Sequence, residues 1–124
     1  MVKKEIFSAL TGDAELVSLV GTMRASGSPC IFYSTPAGFN DLPAVSFFEK
    51  ECGDRVFADN VCIARNAVVQ VDVWAEDNAS AVFDRADSIM RGLGYYCAST
   101  VDVPDPNARH ITAVYGKLVD FDVI

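Results

Sequence analysis

The clearest alternation of hydrophobic and polar positions runs from Ala67 to Leu93, AVVQVDVWAEDNASAVFDRADSIMRGL. Val69, Val71 and Val73 alternate with Gln70, Asp72 and Trp74, the period-two pattern of a strand with one buried face. The period then lengthens. Val82, Phe83, Ala86, Ile89, Met90 and Leu93 recur at helical spacing, and Asp84, Arg85, Asp87 and Arg91 take the opposite side. Between strand and helix, Asn78 or Asp77 is placed to cap the first helical turn. That role accounts for Asn78-Ala79-Ser80 without invoking its match to a glycosylation site.

The same test applied elsewhere predicts the remaining elements. Ile6, Leu10, Leu16, Val17 and Val20 form an apolar stripe over residues 3–20. Thr11-Gly12-Asp13 breaks that stripe into two short helical pieces, with Thr11 or Asp13 capping the second and Gly21 ending it. Residues 29–33 read as a short strand, 34–42 as a loop rich in Pro, Gly, Asn and Asp, and 44–50 as a second strand. Gly53-Asp54 and Asp59-Asn60 bracket a turn region suited to a hairpin arm. Residues 61–75 form one long strand with a bend expected near Arg65-Asn66. After the helix come a strand over 95–103, a loop at 104–107 and a last strand. In that strand Ile111, Ala113, Tyr115, Val119, Phe121 and Val123 share one parity. The order α-β-β-β-α-β-β implies an α+β fold: a mostly antiparallel sheet with two helical segments packed on one face, in a single domain of residues 1–124.

Composition narrows the function. Of 124 residues, 51% are hydrophobic and 22% charged, which fits a globular chain with a core. The net charge of −7, with ten scattered basic residues, argues against nucleic-acid binding, which needs clustered cations. The segment after Met1-Val2-Lys3-Lys4 is too short and too soon interrupted for a signal peptide, and no stretch is long enough to span a membrane. Cytoplasmic residence is therefore expected.

No residue pattern points to catalysis. Cys30, Cys52, Cys62 and Cys97 contain no CxxC pair and lie far in sequence from His110, so reduced cysteines packed as small hydrophobes are expected over a disulfide or a zinc site. His110, the single imidazole, reads as a surface histidine at a loop edge. Asp120 and Asp122 share a strand face, where two acids flank a metal or a glycosidic bond in some proteins and form a solvated face in most. No phosphate-binding glycine motif is present. Three aromatics stand out. Trp74 lies on the polar face of its strand, so it is either covered by another element or part of a subunit contact. Phe39 and Phe57 sit in stretches of small and polar residues, where they either dock onto a partner or fold back onto their own core.

Several segments resemble the tail-completion proteins, or tail terminators, of long-tailed bacteriophages and prophages. The resemblance is carried by EIFSALTGDAELVSLVG as first helix, by Ile31-Phe32-Tyr33, by Leu42-Pro43-Ala44-Val45-Ser46-Phe47 entering a strand, by Val69–Ala75 before an Ala- and Asp-rich helix, and by the long last strand. Glu76-Asp77-Asn78 replaces the family's Tyr- or Ser-containing turn, and segments 51–62 and 101–109 have no counterpart. The resemblance implies a homo-oligomeric ring, typically of six copies, that caps the tail tube and meets a head-side connector protein. It implies assembly in the host cytoplasm followed by residence in the virion, with neither cofactor nor catalytic residue. DNA would pass through the ring without specific binding. Phe39, Phe57 and Trp74 would then be interface candidates, and Asp120 and Asp122 candidates for an acidic channel lining that repels DNA. Two other classes fit the same residues: another head–tail joining or tube protein, and a small α+β ligand-binding or enzyme domain.

Overall fold

The computed structural model describes residues 2–23, 26–34 and 42–120 and has an α+β architecture. Its elements are α1 (Lys3–Thr11), α2 (Ala14–Leu19), β1 (Ile31–Tyr33), β2 (Ala44–Ala58), β3 (Val61–Ala75), α3 (Ala79–Gly92), β4 (Tyr96–Val103) and β5 (Arg109–Asp120). The five strands form one sheet in the order β1-β2-β3-β5-β4. β1 runs parallel to β2, and every other pairing is antiparallel.

The helical stripe breaks where the sequence predicts. The Gly12 N–H returns to the Ser8 carbonyl at 2.9 Å, and Asp13 then caps α2 by accepting from the Leu16 N–H at 2.9 Å. Gly21 does not end α2, because the chain has already turned extended at Val20. Asp13 also reaches across to α3, where Arg85 donates to both its carboxylate oxygens, at 3.1 and 2.6 Å. These bonds, with the Leu16 amide, hold the Asp13 pKa down from 3.8 to about 2. One carboxylate thus starts α2 and fixes it to α3. At α3 the cap is Asn78, which accepts from the Ala81 N–H.

The core lies between the helices and one sheet face. Ile6, Leu10 and Leu16 of the first helices and Val82, Ala86 and Met90 of α3 pack in one cluster with Val45, Phe47, Val69, Val71, Val73, Ala113 and Tyr115. Both predicted strand parities appear in this cluster, as does the helical stripe. Tyr115 is fully buried, and its hydroxyl donates to Asp87 on α3 at 2.6 Å. Burial, and then the adjacent Asp87 carboxylate, push the phenol pKa far upward. Asp87 also takes Arg91 at 2.9 Å, so this residue of the polar stripe bridges helix and sheet rather than merely facing solvent.

Two strands differ from expectation. Strand 29–33 shrinks to three residues, with Pro29 bridged instead to Thr22. Strand 44–50 lengthens to Ala58, pairing with β3 all the way to a tight turn at Asp59-Asn60. Both turn residues have positive φ (51° and 65°), the left-handed conformation that two-residue hairpins require and that Asp and Asn tolerate best among non-glycine residues. β3 runs unbroken through Arg65-Asn66, where a bend is expected from the sequence, and the β2–β3 register is irregular between Glu49 and Glu51 and between Asp54 and Phe57.

Candidate functional site

The outer halves of β2 and β3 form an arm. The last described β5 pairing is between Ala64 and Asp120, and beyond it the described residues of the hairpin pair only with each other. From Ala64 to the turn at Asn60 the arm extends by about 13 Å at a strand's rise per residue. It carries Phe57, Val61 and Ile63, which are 59%, 62% and 48% exposed. Phe57 pairs with Cys62 and Val61 with Ala58, so Phe57 and Val61 stand on opposite faces of the hairpin, and the arm exposes apolar side chains on both sides.

A second exposed apolar group lies elsewhere. Tyr96, Val101 and Leu118, each more than half exposed, stand on the sheet face opposite the helices. The Tyr96 ring lies over Gly116, where an added Cβ would come within 2.6 Å of the ring. The two patches are chemically alike but sit on different strands: one on the β2–β3 arm, the other across β5 and the edge strand β4.

On the same open face as this second group, toward the end of the sheet away from the arm, is a polar cluster around the buried Asp72. His110 Nε2 is 2.9 Å from Asp72 Oδ1, which assigns the ring proton to Nε2, because a carboxylate only accepts. Gln70 donates to the same carboxylate at 3.1 Å, and the Trp74 ring stacks on the imidazole at 4.6 Å and 19°. His110 is thus not a surface histidine at a loop edge. The register sets it beside Trp74 and tucks it against a carboxylate 38 residues earlier. Ser46 and Thr112 flank Asp72 on the neighbouring strands, and their buried hydroxyls make no hydrogen bond with the described residues.

The proposed site residues separate accordingly. Phe57 lies on strand β2 rather than in a loop and is exposed on the arm. Trp74 is only 9% exposed and is covered within its own chain. Asp120 ends β5 at the base of the arm, opposite Ala64. Phe39 and Asp122 lie outside the described residues. Val61, Ile63, Tyr96, Val101 and Leu118 were not singled out by sequence reasoning. The only available signal was their failure to join a buried parity.

An open cleft of about 400 Å³ is lined by Glu76, Asp102, Asp105, Arg109 and the 104–108 loop. Asp105 is already engaged there, accepting from the Asn107 N–H at 2.8 Å. Among the described residues, no group of three or more His, Cys, Asp or Glu side chains is placed to hold a metal, none of the four cysteines is in a disulfide, and no helix is long and apolar enough to cross a membrane. No known protein family model matches the chain, and no curated protein is significantly similar to it.

Proposed function

We propose that the chain is a structural subunit of a tail-terminator ring at the head–tail junction of a long-tailed phage or prophage. One observation carries this proposal: exposed apolar side chains are gathered in two separate regions, on both faces of the β2–β3 arm and on the open face of β4 and β5. A ring needs a heterologous interface in which two different regions of each subunit's surface meet around a closing rotation, whereas a two-fold dimer needs only one. The segments that resemble tail-completion proteins support the same role, with a tail tube protein and a head-side connector as partners. The acidic balance of −7 suits a passage through which DNA moves without adhering, with Asp120 and Asp122 as the proposed lining.

Native mass spectrometry with negative-stain imaging tests the assembly. A closed oligomer with an open centre, six-membered by the resemblance, is the expected result. A chain that stays monomeric across the accessible concentration range overturns the proposal. The lining is tested separately by reversing Asp120 and Asp122 to Lys. Impaired DNA passage and infectivity are expected from rings that still form, and unchanged infectivity removes the two acids from the channel.

A further inference from the structure

Building on the ring proposal, we infer that the sheet continues from one copy to the next, with the edge of β4 pairing antiparallel to the open edge of a neighbouring β2. The sheet has two edges that differ in kind. β1 covers β2 only at Val45–Phe47, so among the described residues the outer side of β2 from Phe48 to Ala58 has no strand beside it. At the other end β4 pairs with β5 alone. Edge strands are usually protected by Lys, Pro or brevity, yet β4 runs for eight residues, YCASTVDV, with Asp102 as its one charge. The open edge of β2 carries Lys50 and Arg55 among the acids Glu49, Glu51 and Asp54, and Arg55 is paired with Glu51 at 3.5 Å.

Strand direction selects the pairing. β2, β3, β5 and β4 alternate in direction across the sheet. Rotation about an axis roughly along the strands preserves direction, so β4 of one copy meets β2 of the next antiparallel. Pairing β4 with a second β4 uses one edge twice, leaves the arm bare and cannot propagate around a ring.

Free length and the placing of Asp102 select the register. Setting Tyr96–Val103 against Glu49–Val56 of the neighbour uses the stretch that β1 leaves open, places Asp102 opposite Lys50 and Tyr96 opposite Val56. Within one copy, Val103 stands level with Ala44 through His110 and Trp74. Meeting Glu49 instead is a slip of five residues, about 17 Å along the strand, over a width of about 19 Å for four strands. That ratio tilts the strands by about 40°, inside the range at which sheets close on themselves. The register irregularities between Glu49 and Phe57 supply local bend and twist in the paired stretch.

The test uses the full chain. Unlabelled and ¹⁵N-labelled protein are mixed, allowed to assemble and treated with a zero-length carbodiimide. The expected product is a Lys50–Asp102 peptide joining copies of different label, absent in Asp102→Asn. In parallel, Thr100→Pro and Val101→Pro each remove one β4 N–H, and adjacent residues direct theirs to opposite sides. The variant that keeps the wild-type melting temperature has lost the outward N–H, and it is expected to run as a monomer. A closed oligomer that forms no mixed-label Lys50–Asp102 peptide, or that survives the outward proline, overturns the edge pairing and leaves the ring proposal standing. A wild-type chain that is monomeric throughout overturns both.

Discussion

The two halves of β2 and β3 show how one pair of strands serves two purposes. In the body, Val45, Phe47, Val69, Val71 and Val73 alternate cleanly and are essentially inaccessible beneath the helices. Toward the arm β2 carries Lys50, Glu51, Asp54 and Arg55, the register slips, and in the arm itself the apolar residues Phe57, Val61 and Ile63 are exposed. Backbone pairing is continuous through both halves, while burial is confined to one. Stability should therefore reside in the body and contact in the arm, so the two can be altered independently.

The largest expected effect comes from breaking the body. Phe47 is buried, with Tyr33 packed edge-on at 5.3 Å. Phe47→Ala should cost about 3–5 kcal/mol of unfolding free energy in denaturant titrations. Next is the polar group on the open face. His110→Ala leaves the buried Asp72 carboxylate without one donor and should cost about 1–3 kcal/mol. Adding Asp72→Ala should recover part of that loss, because removing both partners leaves no orphaned charge. A double variant as unstable as the sum of the single ones would show that the pair is not coupled.

A smaller effect is expected at the α2–α3 joint, and its signature is pH dependence. The Asp13 pKa is lowered in the folded state from 3.8 to about 2, so its contribution is full above pH 4 and is lost as pH falls toward 2. Asp13→Asn keeps the capping oxygen but not the charge. Its melting temperature should lie below wild type at neutral pH and converge with it near pH 2. Parallel curves would place the acid sensitivity elsewhere. The smallest effect on stability belongs to the arm. Phe57→Asp should change the unfolding free energy by less than about 0.5 kcal/mol while weakening self-association in native mass spectra. If it instead costs as much as Phe47→Ala, the arm belongs to the core and the contrast between the halves fails.

The sequence makes the body legible and the arm much less so. α3, β3 and β5 are readable because burial against one partner layer imposes a strict period, as in Ala113, Tyr115 and Val119. Residues 50–58, KECGDRVFA, show no alternation, since neither face is packed under a helix and register slips interrupt the parity. Their strand character comes from β3, which no local window contains. Asp72 and His110 are likewise joined only by register. The open-face residues Tyr96, Val101 and Leu118 have no period of their own, because nothing in the same chain buries them.

Gly116 gives that open face an unusual kind of dependence. The Tyr96 ring rests on bare backbone there, and its outer end is free to swing into solvent. Replacing Gly116 by Ala would displace the ring at little cost to the fold, because the crowded atoms are the far end of a side chain with room to move. The contour offered to a partner would change while melting behaviour stayed the same. A surface moulded by a missing side chain can be redrawn by a single methyl group, so a stability screen would pass a variant whose assembly had failed.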